Sequence, residues 1–140
     1  MEYKATAVIN ASPERIWSVL TNLEGWPTWD PFCEKVEGQL VLGKKVKVFT
    51  KLAPGRGFSV KVAALDANRK MIWSGGMPFG LFKGVRTYSL VPVGDGRVSF
   101  TTHEVFSGPL AGLIGKSIPD LTEAFNQFVA GLKGKAEAAN

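Results

Sequence analysis

Along this chain the spacing of apolar side chains changes twice, and each change marks a different kind of element. Residues 2 to 10 alternate polar and apolar, as a half-buried strand does. Ser12-Pro13 then opens a helix, because a serine can accept from an orphan amide at the N-cap and proline is tolerated in the first turn. Ile16, Val19, Leu20 and Leu23 fall on one face of that helix, and Gly25 and Pro27 end it. Trp26, Trp29, Pro31 and Phe32 follow as an aromatic turn too bulky to be left in water.

From about 33 to 107 the pattern is that of a β-meander, with Gly38, Gly43, Gly55-Arg56-Gly57, Asp66-Ala67-Asn68 and Gly94-Asp95-Gly96 as turns between six strands. The last hairpin can be registered. If Val93 and Arg97 flank a three-residue loop, Leu90 lies opposite Phe100, Tyr88 opposite Thr102 and Arg86 opposite Glu104. Both apolar sets then share one face, which a slip of one residue would destroy.

The period changes again at the end, where Leu121, Phe125, Phe128, Val129 and Leu132 form a helical stripe. Pro119 separates this helix from a turn or short helix over Pro109 to Lys116, and the small polar tail from Lys133 to Asn140 is expected to fray. A strand, a short helix, six strands and an amphipathic terminal helix bury both kinds of apolar face at once only if a curved sheet wraps the last helix. Its concave side would carry Phe58, Val60, Trp73, Tyr88, Phe100, Thr102 and Phe106, with Arg86 and Glu104 interrupting the apolar lining. A concave apolar surface with a few polar groups suits a small molecule.

Composition narrows the options. The 140 residues, 45% hydrophobic and 21% charged, suit one globular domain over 1–140 with no linker. No leader pattern and no span of ~20 apolar residues is present, so a cytoplasmic protein without a membrane span is expected. Cys33 is the single cysteine and reads as a buried free thiol. The net charge of +5 raises nucleic-acid binding, but Lys45, Lys47 and Lys51 share one parity opposite Val46, Val48, Thr50 and Leu52, the solvated face of an amphipathic strand. No zinc or calcium spacing occurs among His103 and the carboxylates Asp30, Glu34, Asp66 and Asp95, so no metal or other cofactor is implied.

Several pieces together resemble the START-like (SRPBCC) superfamily and its polyketide cyclase/dehydrase-like branch. They are Ser12-Pro13-Glu14-Arg15-Ile16-Trp17, Trp26 with Trp29-Asp30-Pro31-Phe32, Gly43 before the basic strand, Ile72-Trp73-Ser74-Gly75-Gly76, and Glu104-Val105-Phe106-Ser107-Gly108. The resemblance spans nearly the whole chain. It implies an α+β helix-grip fold, with a seven-stranded antiparallel sheet around the C-terminal helix, two short helices after the first strand, and a deep cavity for lipids, polyketides or other apolar molecules. Many members of that branch carry Trp-Asn-Pro where this chain has Trp29-Asp30-Pro31, and histidine where it has Arg86 and Thr102.

Arg86 and Glu104 are the candidate polar centre. They either orient a ligand oxygen or close one end of the cavity as a structural pair. His103 alternates with Glu104 and should point away. Residues 75–82 form an apolar flap with Met77, Phe79, Leu81 and Phe82, which either borders the ligand or a partner protein, or packs on the turn around Pro109 to Ile114. Ligand contacts are expected from Trp29, Phe32, Phe79, Phe82, Leu113 and Phe125, in addition to the concave strand residues. The first reading is therefore a binding protein for a small hydrophobic molecule, as monomer or dimer. A polyketide cyclase, aromatase or dehydratase using Glu104, Arg86 and Tyr88 is the alternative, and a partner-binding module the second alternative.

Overall fold

The computed structural model describes residues 1–138. Strands β1 (Glu2–Ile9), β2 (Cys33–Glu37), β3 (Lys45–Thr50), β4 (Gly57–Asp66), β5 (Lys70–Gly76), β6 (Lys83–Gly94) and β7 (Arg97–Ser107) form one antiparallel sheet in the order β1-β7-β6-β5-β4-β3-β2. Helix α1 (Pro13–Thr21) follows β1, and α2 (Ala111–Gly115) and α3 (Thr122–Glu137) follow β7. The fold is the helix grip, with α3 held in the concave side of the sheet. Offsets in pairing between β2 and β3 at Cys33/Lys35 and between β4 and β5 at Val62/Ala64 bend these strands and help the sheet curl.

Ser12 caps α1 through its side chain, accepting from the Arg15 amide at 3.1 Å. The helix stops at Thr21, before Gly25 and Pro27, and the aromatic turn is itself partly a 3-10 helix, Leu23–Thr28. It holds Trp26 in the core, where the indole N–H donates to the Leu20 carbonyl at 2.9 Å.

The registered hairpin has the anticipated pairs, Leu90 with Phe100, Tyr88 with Thr102 and Arg86 with Glu104. Its tip differs. Gly94 pairs with Arg97, leaving Asp95 and Gly96 as a two-residue turn with φ of 56° and 72°, and a bulge beside Val93 absorbs the offset. Lys51 lies beyond the end of β3 rather than on its outer face.

The C-terminal segment is anchored where fraying was expected. Arg15 donates to the carbonyls of Lys135 and Ala136 at 3.0 and 3.3 Å, and the Asn10 amide donates to Glu137 at 2.7 Å. Ala136 is buried, so α3 continues to Glu137, while residues 139–140 lie outside the described residues.

Phe128 is the keystone of this packing, with its ring against those of Trp26, Trp29, Tyr88 and Phe100. One turn on, α3 presses so closely on the aromatic turn that a Cβ on Gly131 would stand 1.8 Å from the Trp29 carbonyl oxygen. Gly134, by contrast, has open space around it. Gly131→Ala should therefore cost about 1–3 kcal/mol despite alanine's better helix propensity. Gly134→Ala should add ~0.5–1 kcal/mol. Urea unfolding of the two variants checks the pair, and a stabilising Gly131→Ala would refute this placement of α3.

Candidate functional site

Cross-strand pairing aligns Val62, Trp73, Arg86, Glu104 and Tyr3 in one row across β4, β5, β6, β7 and β1. Beside it, toward the hairpin tip, Met71, Tyr88, Thr102 and Ala5 form a second row that is fully buried. Beyond this second row, whose Thr102 closes the cavity, helix and sheet are packed together. At the first row, and toward the opposite end of the sheet, α3 stands off and leaves a cavity of about 690 Å³, within the ~300–1,000 Å³ typical of small-molecule sites. Trp26, Trp73, Thr102 and Phe128 form its deep end, and Val48, Phe58, Val60 and Phe125 its walls. Its rim comes from the β3–β4 turn (Leu52, Ala53, Arg56), the β5–β6 loop (Met77, Phe82) and the α2–α3 stretch (Ile114, Ile118, Pro119). These three connections share one end of the sheet because they follow alternate strands of an antiparallel meander.

The polar centre is asymmetric. Arg86 Nε and Nη2 both donate to Glu104 Oε1, at 2.9 and 2.5 Å, leaving the second carboxylate oxygen out of the pair. The guanidinium lies 4.6 Å from the centre of the Phe125 ring, which adds a cation–π contact from the helix side. The two side chains keep 29% and 14% of their accessible surface, and both line the cavity. Burial works against the guanidinium's charge, but the Glu104 carboxylate together with Tyr88 outweighs it and holds Arg86 protonated. Burial pushes the Tyr88 phenol up to about 12, against the opposing pull of Arg86. It likewise pushes the Cys33 thiol at the cavity edge up to about 11.

Asp30 adds a second carboxylate. Its side chain accepts from the Phe32 amide at 3.1 Å, and burial raises its pKa above the ordinary value although Phe32, Arg86 and Lys51 pull the other way. The cavity lining thus holds two guanidiniums, Arg86 in the wall and exposed Arg56 at the rim, against two carboxylates. Three further polar atoms, Trp73 Nε1, Tyr88 Oη and Thr102 Oγ1, are buried without a hydrogen-bond partner among the described residues.

Of the residues assigned to ligand contact from sequence, Phe32, Phe58, Val60, Trp73, Phe82, Arg86, Thr102, Glu104, Phe106 and Phe125 line the cavity. Five do not. Trp29, Tyr88 and Phe100 lie behind it in the packed core, clustered on Phe128. Phe79 is 99% exposed because its backbone takes a left-handed φ of 60° and turns the ring outward, and Leu113 is 69% exposed, whereas its neighbour Ile114 borders the cavity. The flap does meet the turn after β7, since the Leu110 amide donates to the Leu81 carbonyl at 2.9 Å. His103 points away from the cavity and bonds Glu2 at 2.6 Å.

Trp26, Val48, Leu121, Phe128 and Asp30 also line the cavity, outside the contacts expected from sequence, and Met77 of the flap borders it. Parity with Val46 was a signal for Val48, and the helical stripe was one for Leu121 and Phe128. Asp30 had none, because its burial depends on how the aromatic turn docks.

A curved antiparallel sheet gripping a C-terminal helix beside an apolar cavity defines a START-like, helix-grip protein. The chain belongs to the polyketide cyclase / dehydrase and lipid transport family, whose model matches residues 1–137. A hypothetical protein of Helicobacter pylori shares the fold at a TM-score of 0.78 and 14% identity, with 98% of this chain and 88% of that one covered. A START superfamily protein of Mycobacterium smegmatis does so at 0.68 and 18%, covering 97% of both chains. Truncated norcoclaurine synthase of Thalictrum flavum superposes at 0.71 and 17%, covering 100% of this chain and 95% of that one. A sequence search of curated proteins finds no match.

Asp30 generates a pH prediction. Its folded-state pKa lies above its unfolded value, so the folded protein binds this proton more tightly than the unfolded chain. Stability is therefore lost as pH rises from about 3.8 through the raised value, and ionised Asp30 remains a penalty above it. Asp30→Asn keeps the acceptor for the Phe32 amide and removes the charge. Thermal unfolding should show the variant several degrees more stable at pH 7, with the gain vanishing toward pH 3. An equal shift at both pH values would contradict the account.

Proposed function

We propose that this protein binds an uncharged, largely apolar molecule carrying an acceptor oxygen, and that Arg86 and Glu104 orient that oxygen in the cavity. The observation that carries the reading is the composition of the cavity's polar wall. Its buried guanidinium is already neutralised by Glu104, and Asp30 balances Arg56 at the rim, so the lining holds no surplus positive charge to pair with a free carboxylate or phosphate. An uncharged carbonyl or hydroxyl needs no counter-charge and can accept from the guanidinium N–H groups not committed to Glu104. The unpartnered hydrogen-bonding atoms of Trp73 and Thr102, two residues that line the cavity, support the same choice, since each costs about 1–3 kcal/mol while unsatisfied.

The cyclase, aromatase or dehydratase alternative has the family's description and norcoclaurine synthase's fold behind it. The site chemistry favours binding. Glu104 is engaged by two hydrogen bonds from a guanidinium, which weakens it as a general base, and Tyr88, pushed up to about 12, is a poor proton donor near neutral pH.

Fluorescence of the neutral dye Nile red tests the reading. The folded protein should bind the dye, and long-chain ketones or alcohols should displace it at lower concentration than fatty acids of equal length. Thr102→Trp should narrow the deep end and reduce binding, and Lys47→Glu on the outer face should leave it intact. Replacing the ion pair by Arg86→Met with Glu104→Leu avoids an orphaned buried charge. This double variant should keep the dye and lose about tenfold or more of the preference for oxygen-bearing competitors over hydrocarbons, the equivalent of one charge-assisted hydrogen bond. An unchanged preference would make the pair structural, and a fatty-acid preference in the native protein would overturn the charge argument.

A further inference from the structure

We infer that the cavity's mouth docks on an anionic lipid bilayer, with Phe79 and Leu113 entering the interface and a ring of basic side chains meeting the headgroups. The inference goes beyond the ligand reading and stands on different residues. Phe79 is almost wholly in water at the tip of the β5–β6 loop, and its φ of 60° is a conformation that a non-glycine residue adopts at a cost. Leu113, on the neighbouring α2, is 69% exposed, and Met77 and Leu81 are also exposed. These apolar side chains surround the opening of the cavity and belong to connections that touch each other through the Leu110–Leu81 hydrogen bond.

The connections at this end carry charge of one sign, while Glu2 and Glu34 stand exposed at the adjoining ends of β1 and β2. Segments 51–57, 76–83 and 107–119 contain Lys51, Arg56, Lys83 and Lys116 and no aspartate or glutamate. Asp120, which follows them, accepts from Thr122, which favours its ionised form, so the basic surround is interrupted at the start of α3. Outside the sheet a shallow groove leads from Met77 and Gly80 past Lys83 to Lys61 and Lys45, again with no carboxylate in its lining. Lys45 and Lys61 are direct cross-strand partners, and like charges so placed repel unless an anion lies between them. Exposed apolar tips, a basic surround and an adjoining anion-seeking groove together match a negatively charged membrane surface.

A protein partner fits less well. The apolar groups sit on projecting loop tips around an opening, not on a flat or grooved face able to bury the ~800 Å² per partner of a stable interface. Insertion into the headgroup boundary needs no matching shape. It also places the cavity's mouth where a sparingly water-soluble molecule is concentrated.

Co-sedimentation of the full chain with phosphatidylcholine vesicles, with and without phosphatidylserine, tests the inference. Binding should require phosphatidylserine and weaken with salt. Lys83→Glu should lower the apparent affinity by about fivefold for each unit of charge changed. Phe79→Gly should lower it by about tenfold or more while leaving thermal stability unchanged or raised, because glycine adopts this φ without strain. Phe79 and Lys83 lie outside the cavity lining, so Nile red uptake should be the same in these variants as in the native chain. Loss of dye uptake by the native chain would count against the ligand reading alone. No binding to anionic vesicles, full binding by Phe79→Gly, or a Phe79-dependent dimer in sedimentation equilibrium would overturn the docking surface.

Discussion

The contact of Phe128 with four aromatic rings, backed by the close approach of Gly131 to the Trp29 carbonyl, is the constraint on which the rest depends. It fixes the depth at which α3 enters the sheet. On the hairpin-tip side the helix and sheet are in full contact through Leu132, Phe100 and Leu90, all buried. On the other side the strands curl away from the helix while α3 keeps its line, and the space that opens is the cavity. The site is therefore a consequence of packing that holds one end of a helix tightly and leaves the other end free.

That division decides what each polar residue can do. Arg86 and Glu104 sit at the boundary, where a charge pair is dry enough to interact strongly and still faces a space that a ligand or water can enter. A pair in this position is poor value as a stabiliser, since desolvation offsets much of its attraction, and its persistence is easier to understand as a way of presenting a fixed dipole to something in the cavity. Tyr88 and Thr102, one row deeper, are enclosed by aromatic and aliphatic side chains and carry hydroxyls with no hydrogen-bond partner among the described residues.

The alternation of strand residues made the architecture and the facing of Arg86, Glu104 and His103 legible, because the Gly-Asp-Gly hairpin pinned the register and a bulge at its tip did not disturb the pairs beyond. Parity specifies a face, however, and says nothing about depth. Tyr88 and Phe100 share the face of Arg86 and Phe106 yet belong to the packed half, and the difference rests on where Phe128 lands. Phe79 fails for a different reason. Its residue type suggests burial, but a left-handed backbone between Pro78 and Gly80 turns it outward. Asp30 was illegible because only the docking of the aromatic turn against the sheet removes it from water.

The central claim is that the cavity holds an uncharged molecule with an apolar body. Native mass spectrometry of the freshly purified protein, followed by organic extraction of whatever is bound, tests it most directly. The account predicts one equivalent of a neutral, oxygen-bearing molecule small enough for a cavity of about 690 Å³, either co-purified or taken up from a mixed lipid extract. A protein that remains ligand-free in the presence of that extract, or that selects a carboxylate or phosphate from it, would contradict the account.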